Sequence, residues 1–439
     1  MLRCFIATSL VTMLAASIHS EDSKPDALSK TIEAELPYLK KLYEHLHANP
    51  ELSLQEVQTA ARIAEELKKA GFEVTAKFGG HGVVAVLKNG DGPTVWVRSD
   101  LDGLPITEKT GLPYASKVRT RDSYGNEVGV MHACGHDIHM TCLVGTARTL
   151  AAHKDKWAGT AILVGQPAEE IVAGARAMLD AGMYTKFPKP DYALALHSDP
   201  LKPVGTIGYT DGLAMASSDN VDIVVKGRGG HGAQPHRTID PIVLSARIIL
   251  DLQTIVSREV NPLDPCVVTV GSIHGGTKHN IIPNEVNLQL TVRTTKDDVR
   301  KDVFAAIERI AKAAAAGARA PEPEVTFSTT ITTPATVNDS GLVKKTIPVF
   351  KELLGEAGVQ PRVATMGAED FSRFSEGKTP IFMFFLGTIS KERYEESLKP
   401  GGKPLPGMHT DTYAPDAAPS VRVGVKAMSK AVMNLMPRK

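Results

Sequence analysis

The spacing of apolar residues predicts helices in the first part of the chain and short strands after them. Residues 28–71 have apolar positions at intervals of three and four, and a second amphipathic stretch covers residues 56–70. The repeating apolar positions of the first helix are Leu36, Leu39, Leu42, Tyr43 and Leu46. Two β-like runs follow, at residues 83–87 and 94–97.

From residue 137 the predicted helices and strands alternate. Strands are indicated at residues 160–164 and 192–195, and helical patterns cover residues 141–152 and 173–181. Such alternation is typical of βαβ units. We therefore predict an α/β fold with a mostly parallel sheet and helices on both faces.

Near residue 214 the pattern changes to one in which polar and apolar residues alternate. This alternation is typical of an antiparallel sheet with one face in water. The strands predicted here are residues 220–225, 267–270 and 286–292. The helices predicted between or after them are residues 241–256 and 297–316.

These patterns divide the chain into two predicted domains. A smaller α+β domain, residues 214–330, interrupts a larger domain made of residues 28–213 and 331–439. The later elements assigned to the larger domain are strands at residues 362–365 and 381–386 and a helix at residues 420–436.

Composition and charge indicate an ordinary globular protein. Of 439 residues, 42% are hydrophobic and 23% are charged, and the formal net charge is +1 without any basic or acidic block. This balance argues against nucleic acid or a membrane surface as the main partner, so we expect a small-molecule substrate.

The N-terminus has the pattern of a secretory signal peptide. A basic start at Arg3 precedes an apolar run over residues 5–18, which is too short for a membrane span. We predict that residues 1–20 are the signal and that the protein is secreted or periplasmic, with no membrane span after cleavage. The alternative is a buried N-terminal helix. Once Cys4 is removed, three cysteines remain, an odd number that provides no disulfide framework.

The densest chemistry lies in Met131-His-Ala-Cys-Gly-His-Asp-Ile-His-Met140. Cys134 and His136 occupy alternate positions of a turn that leads into a helix, which lets both reach one centre. The start of a helix also favours a thiolate. This motif indicates a metal site, against the alternative of a buried polar turn.

Three further segments place acids or imidazole at the downstream ends of predicted strands. These residues are Asp100 and Asp102, Glu169 and Glu170, and His197. Ligands of open α/β sheets bind beyond the carboxyl ends of the strands, so we expect these groups to converge.

Together these motifs resemble those of a known family. They are Asp100-x-Asp102, Met131 to Met140, Gln166-Pro-Ala-Glu-Glu170, Gly230-His-Gly-Ala-Gln-Pro-His236, Asn280-Ile-Ile-Pro, Met366-Gly-Ala-Glu-Asp-Phe371 and His409-Thr-Asp. In this order they resemble the hippurate hydrolase and N-acyl-amino-acid amidohydrolase family, within the metallopeptidase group of aminoacylases and glutamate carboxypeptidases. The resemblance covers about residues 30–435.

The resemblance implies a site for two divalent metal ions. The ligands it implies are Cys134, His136, Glu170, His197 and His409. Cys134 stands where more distant relatives have a bridging carboxylate, and a thiolate can supply the same anionic bridge. Sulfur, imidazole and carboxylate together suit Zn, and Mn, Co and Ni are used by relatives. Asp102 is expected to orient an imidazole ligand.

The resemblance also assigns the catalytic and substrate-binding groups. Glu169 is the expected general base, which takes a proton from the water activated by the metals and passes it to the leaving amine. His231 would stabilise the oxyanion and Asn280 would contact substrate, both from an inserted domain that acts as a lid. Some relatives supply this histidine from a second subunit, so the resemblance also points to a homodimer through the inserted domain.

Two of the expected roles have equally good alternatives. Arg293, which ends an alternating strand, would bind a substrate carboxylate or simply lie on the surface. Glu369 and Asp370 would support the cleft or cap the helix that follows them.

We thus predict a binuclear-metal amidohydrolase that cleaves the amide bond of N-acyl amino acids or similar small conjugates. One alternative is a secreted metallo-dipeptidase or carboxypeptidase of the same fold. A second is a non-catalytic metal- or ligand-binding relative, against which the presence of Glu169 argues. A third makes Cys134 a nucleophile with His136 as base, which would leave the other ligands without a role.

Overall fold

Residues 26–438 of the computed structural model are described, and within them lie ten α-helices and eighteen strands. The predicted signal peptide, residues 1–20, lies outside the described residues. The helices are α1 (Ala27–Ala48), α2 (Val57–Lys69), α3 (His136–Ala152), α4 (Gly174–Asp180), α5 (Met183–Lys186), α6 (Pro241–Thr254), α7 (Asp297–Gly317), α8 (Ser340–Gly358), α9 (Lys391–Ser397) and α10 (Ala417–Leu435). Among residues 26–438, no helix has the length and apolar character needed to cross a membrane.

The strands comprise one large sheet, one four-stranded sheet and three short pairs. They are β1 (Glu73–Phe78), β2 (Gly82–Asn89), β3 (Thr94–Asp100), β4 (Arg119–Arg121), β5 (Glu127–Gly129), β6 (Gly159–Gln166), β7 (Tyr192–Pro203), β8 (Ile207–Tyr209), β9 (Gly212–Met215), β10 (Ser218–Lys226), β11 (Gly230–His231), β12 (Cys266–His274), β13 (Ile281–Ile282), β14 (Glu285–Thr294), β15 (Glu324–Thr333), β16 (Thr336–Asn338), β17 (Val359–Pro361) and β18 (Ile381–Ile389).

Three of the helices, α1, α6 and α8, begin at an aspartate that accepts backbone N–H groups. Asp26 accepts the N–H of Ser29 at 2.7 Å ahead of α1. Asp240 accepts two N–H groups ahead of α6, whose first residue is Pro241. Both arrangements are favoured helix starts. By contrast, no side chain caps α3, which follows Gly135 in a left-handed conformation with φ 81°.

The large sheet has eight strands in the order β1-β2-β6-β3-β7-β18-β8-β17. The four neighbouring strands β6, β3, β7 and β18 are parallel, whereas β2 runs antiparallel to β6 and β8 runs antiparallel to β18. The four parallel strands therefore end at the same edge of the sheet, which is where ligands bind in such folds.

Successive residues of the central strands face opposite sides of this sheet. On β3, Val95 and Val97 belong to the core that contains α1, α2, α3, α8 and α10, whereas Trp96 belongs to the core that contains α4 and α5. Because both faces are covered, β18 is buried at every position. The predicted α/β class, with a mostly parallel sheet and helices on both faces, is confirmed.

A separate antiparallel sheet has the strand order β12-β14-β10-β15. Along β14 exposed or half-buried residues alternate with buried ones, and the buried side chains pack with those of α6 and α7. This arrangement agrees with the predicted sheet that has one face in water. β15 runs to Thr333, beyond residue 330, and the domain limits 214–330 stay a prediction.

The strand predicted at residues 362–365 is misplaced. The structure instead has β17 at Val359–Pro361, paired in parallel with β8. Because β8 ends at Tyr209, the ladder with β17 stops at Pro361, and of the predicted residues 362–365 Thr365 forms a single bridge with Met215 of β9. The N–H of Arg362 still donates to the carbonyl of Tyr209 at 2.6 Å, and the chain then leaves the ladder.

The packing of α3 between α1 and α10 gives a first testable prediction. A methyl group on Gly145 would lie 2.4 Å from Val425 Cγ2 and 3.0 Å from Leu39 Cδ1. We expect Gly145→Ala to lower the free energy of unfolding by about 1–3 kcal/mol, because overpacking displaces neighbouring side chains. In a Val425→Ala background, Gly145→Ala should lower the free energy of unfolding by a smaller amount. Urea unfolding of the four proteins measures this coupling, and an equal loss in both backgrounds would contradict the packing.

Candidate metal centre

Side chains that can bind metal ions meet at the carboxyl edge of the parallel strands. Asp100 ends β3, Glu169 and Glu170 follow β6, and His197 lies within β7, just beyond its last pairing with β3 at Ala195. The start of α3 and the loop between α9 and α10 contribute Cys134, His136 and His409. The convergence expected from the strand ends is therefore present in the structure.

Gly135 allows the chain to present its two neighbours to the same centre. Its φ of 81° is left-handed, and a Cβ at this position would lie 2.7 Å from the Oγ of Ser198. A larger residue would be both strained and obstructed here. The glycine therefore permits the tight turn that brings Cys134 and His136 to the same centre at the start of α3.

The five predicted ligands form two groups of three that share one sulfur. Ligand atoms of Cys134, His136 and His197 lie within 4.8 Å of one another, and so do those of Cys134, Glu170 and His409. The Sγ of Cys134 is 3.6 Å from His197 Nε2. The two groups are linked again through Glu170, whose Oε1 is 3.7 Å from His136 Nε2 and whose Oε2 is 3.4 Å from His409 Nε2.

Backbone carbonyls determine the tautomers of two imidazoles. His136 Nδ1 lies 2.8 Å from the carbonyl oxygen of Asp102, and His197 Nδ1 lies 2.9 Å from that of Ser198. Because a carbonyl only accepts, each Nδ1 carries a hydrogen, so in the neutral form of each ring Nε2 is the atom with the lone pair. Burial lowers the pKa of His197 and of His409, which favours the neutral form that binds metals.

Two buried atoms of the cluster have no hydrogen-bond partner among residues 26–438. They are His136 Nε2 and Glu170 Oε1, which face each other at 3.7 Å. Leaving an acceptor buried and unpaired is unfavourable by about 1–3 kcal/mol. A cation bound between such atoms would satisfy both, so the donor set fits a metal ion.

The cluster contains more acidic groups than basic ones. Burial and the neighbouring Glu170 and Glu169 raise the pKa of the Cys134 thiol well above its usual value. Burial also raises the pKa of Glu170 to about 8, although His136 opposes this shift. Burial acts to lower the pKa of His136, but Asp100 and other nearby carboxylates raise it to about 10. Divalent cations would replace the protons that these acids otherwise retain.

Glu169 lies beside the candidate ligands and next to a second group of acids. Its Oε2 is 3.8 Å from His136 Nε2, and oxygens of Glu169, Glu369 and Asp370 lie within 4.8 Å of one another. Burial and the nearby Glu369 raise the pKa of Glu169 well above its usual value. A carboxyl group so placed is suited to proton transfer at the centre.

Arg98, which sequence reasoning did not single out, partly neutralises this second group. It is buried on β3 and donates to Asp100 at 2.8 Å, to Glu369 at 2.8 Å and to Asp370 at 3.1 Å. Glu369 in addition accepts the N–H of Phe371 at 2.9 Å, so it both caps the following turn and supports the cleft. An arginine inside an apolar strand was the available signal, because a buried guanidinium requires acidic partners.

Asp102 contacts two parts of the cluster. Its backbone carbonyl orients His136, and its Oδ2 accepts the N–H of Glu170 at 3.0 Å. Asp100 contacts His139 instead, with 2.7 Å between Oδ1 and Nδ1. His139 Nε2 in turn accepts the N–H of Ser198 at 2.8 Å, beside His197. Both aspartates therefore support the residues that carry the candidate ligands.

The catalytic residue and the two substrate-binding residues predicted in the insertion do not join the cluster. His231 and Asn280 are exposed and lie together, because β11 pairs with β13 and Gly232 N–H donates to Asn280 O at 2.9 Å. Arg293 is half-buried on β14. Among residues 26–438, none of the three forms a hydrogen bond or ion pair with the cluster, and their roles stay predictions.

A buried ionic group containing His47 supports the start of α3 from behind. Its Nδ1 is 2.7 Å from Asp137 Oδ2 and its Nε2 is 3.1 Å from Glu108 Oε1. Sequence reasoning left His47 without a role because its partners are distant in the chain. Since Asp137 directly follows His136, this group helps to fix the position of that candidate ligand.

Comparisons with known proteins agree with this site. A profile of peptidase family M20/M25/M40 matches residues 96–398. The N-acetylcysteine deacetylase of Bacillus subtilis (strain 168) is 38% identical over 353 residues, which cover 80% of this chain and 88% of that protein. The hippurate hydrolase of Campylobacter jejuni is 38% identical over 347 residues, which cover 79% and 87%. The crystal structure of a dinuclear metal binding peptidase of the M20 family from Bacillus subtilis has a TM-score of 0.73 and 32% identity, and the match covers 92% of this chain and 99% of that one.

The fold and the cluster thus define a hydrolase that acts on amide bonds with the help of metal. This chain belongs to peptidase family M20/M25/M40. The resemblance to hippurate hydrolases and N-acyl-amino-acid amidohydrolases noted from the motifs is confirmed.

The His47 group predicts a pH dependence of stability. Burial acts to lower the pKa of His47, but Asp137 and Glu108 raise it to about 9, above the ordinary 6.5. Below pH 6.5 both folded and unfolded forms hold the proton and the ion pairs contribute fully. Between pH 6.5 and 9 only the folded form holds it, so stability falls as pH rises.

We expect wild type to lose about 3 kcal/mol more unfolding free energy than His47→Asn over this pH range. Urea unfolding of the two proteins at pH 6, 7.5 and 9 measures the difference. Parallel pH curves for the two proteins would show that His47 does not carry this charge.

Proposed function

We propose that this protein hydrolyses the amide bond of N-acyl amino acids or similar small conjugates with two divalent metal ions. The observation that carries the proposal is the pair of ligand groups that share Cys134, with Glu169 adjacent to them. The similarity to a deacetylase and a hippurate hydrolase, both named for N-acylated amino acids, supports this substrate class.

Each ion would be held by three side chains. Cys134, His136 and His197 would hold one, and Cys134, Glu170 and His409 would hold the other. A thiolate at Cys134 would supply negative charge to both ions. Sulfur and imidazole together favour Zn, carboxylate and imidazole also accommodate Mn, and Co or Ni fit the same donors.

Bound cations would polarise the amide carbonyl and make water more acidic. Glu169 then moves the proton: its carboxylate takes one as the water oxygen bonds to the carbonyl carbon. It returns this proton to the nitrogen as the C–N bond breaks, and a carboxylic acid and an amine leave. Its position 3.8 Å from His136 supports this role, because the carboxylate faces the same centre as the ligands.

The insertion would complete the site. His231 would stabilise the oxyanion and Asn280 would contact substrate, and Arg293 would bind the substrate carboxylate. Since His231 and Asn280 are exposed together and apart from the cluster, this role requires closure of the insertion or a second subunit. We include a homodimer through the insertion, residues 214–330, in the proposal.

Three alternatives are less well supported. A dipeptidase or carboxypeptidase would use the same centre, and the family as a whole is named for peptidases. A Cys134 nucleophile is disfavoured because burial and Glu170 raise the pKa of the thiol. A non-catalytic relative would have no use for Glu169 beside the ligands.

The apolar run at residues 5–18 supports a secreted or periplasmic location.

Replacing Glu169 tests the proposal. We expect Glu169→Gln to lower kcat about 100- to 10,000-fold while KM and the content of two metal ions per chain stay unchanged. Turnover is measured on N-acetyl, N-benzoyl and dipeptide substrates, with metal content by mass spectrometry. Glu66→Gln is the matched control, because Glu66 is also buried but bonds to Tyr38 of α1 rather than to the cluster.

Near-normal turnover by Glu169→Gln would refute the general base. Activity that survives chelation but not thiol alkylation would support the Cys134 nucleophile instead. Preference for dipeptides over N-acyl amino acids would favour the peptidase alternative. A metal-loaded protein that is inert toward the whole panel would favour the non-catalytic one.

A further inference from the structure

The turn that carries Glu169 and Glu170 has an unusual backbone. Ala168 has φ 51° and Val172 has φ 50°, both in the left-handed region that favours glycine. Ala168 is fully buried, immediately before the proposed general base. Such conformations persist only where surrounding contacts determine them, so the turn must be held from outside.

The contacts of Ala168 identify what holds it. Its carbonyl accepts the N–H groups of Ala173 and Gly174, each at 3.1 Å, which closes the turn on itself. Its own N–H donates to Glu56 Oε1 at 2.7 Å. This bond joins positions 112 residues apart in the chain, and Glu56 is the residue that precedes α2.

Glu56 is not the residue expected at this position if the stability of the fold were its only contribution. The residue is fully buried, and its second oxygen, Oε2, has no hydrogen-bond partner among residues 26–438. A buried carboxyl group with one unpaired oxygen destabilises a fold relative to an apolar side chain of similar shape. What Glu56 supplies that an apolar residue cannot is an acceptor for the Ala168 N–H.

Neighbouring residues of the same segment contact the other acidic loop. The Oγ of Ser53 donates to Asp102 Oδ2 at 2.6 Å, and the carbonyl of Glu51 accepts the Gly103 N–H at 2.7 Å. Asp102 Oδ2 also accepts the N–H of Glu170. Residues 51–56 therefore join the loop after β3 to the loop after β6.

We propose that Glu56 is a positioning residue: by accepting the Ala168 N–H it holds that residue left-handed and thereby directs the Glu169 carboxylate at the centre. The catalytic part of this inference rests on the proposed function. The anchoring of the turn by Glu56 does not.

Three variants separate positioning from general stability. Glu56→Met keeps the length of the side chain and removes the acceptor, whereas Glu56→Gln keeps an acceptor oxygen. Glu66→Met is the matched control, since it removes another fully buried glutamate from the same part of the chain, one that bonds to Tyr38 rather than to the turn. If Glu56→Met does not fold, Glu56→Asp replaces it in the experiment, because the shorter side chain moves the acceptor away from the Ala168 N–H by one methylene.

Two measurements are made on the metal-loaded proteins. The first is kcat and KM, for which we expect Glu56→Met to lower kcat about 10- to 100-fold at unchanged KM and metal content. Glu56→Gln should stay within about threefold of wild type, and Glu66→Met should change only the melting temperature. The second is amide hydrogen exchange of residues 166–172, which we expect to be faster in Glu56→Met alone.

The two measurements test different parts of the inference: kcat tests the catalytic role of Glu56, and hydrogen exchange tests only its anchoring of the turn. Unchanged exchange and unchanged kcat in Glu56→Met overturn the inference, as does an equal effect of Glu66→Met on the turn. Loss of kcat in Glu56→Gln as large as in Glu56→Met overturns the role of the acceptor. If wild type is inert on every substrate while exchange still rises in Glu56→Met, the proposed function fails and the anchoring stands.

Discussion

Repulsion between buried acids is the constraint around which this molecule is organised. The Cys134 thiol, Glu169 and Glu170 lie close to Asp100 and Asp102, away from bulk water, where like charges disfavour ionisation strongly. His136 alone cannot neutralise this set. Divalent cations would do so. Burial, together with the neighbouring carboxylates, raises the pKa of both glutamates.

The scaffold meets this constraint by fixing the acids through backbone groups. Carbonyl oxygens orient His136 and His197, and carboxylates accept the N–H groups of Ala168 and Glu170. These contacts come from the segment before α2, the loop after β3 and strand β7, and they hold the acids and the two imidazoles in place. Behind them, Arg98 offsets Asp100, and the His47 group fixes the start of α3. Because the acids are held close together, their mutual repulsion favours the binding of cations between them.

Much of this arrangement was predictable because parallel strands end together. Glu169 and Glu170 follow that rule, and His197 lies within β7, just beyond its pairing with β3. His409 lies on a loop and was found only through the family's motif. The contacts of His47 and Glu56 could not be predicted from the sequence, because their partners lie 90 and 112 residues away in the chain. The strand at residues 362–365 was misplaced because its length depends on where β8 ends. The distance from His231 to the cluster depends on how the two sheets are arranged, which local patterns do not encode.

The most direct test of a shared-sulfur centre is anomalous X-ray diffraction from crystals grown with zinc. The account predicts two anomalous peaks about 3.5–4 Å apart. Each should lie about 2.3 Å from the Sγ of Cys134. A single peak, or two peaks of which only one contacts that sulfur, would contradict it.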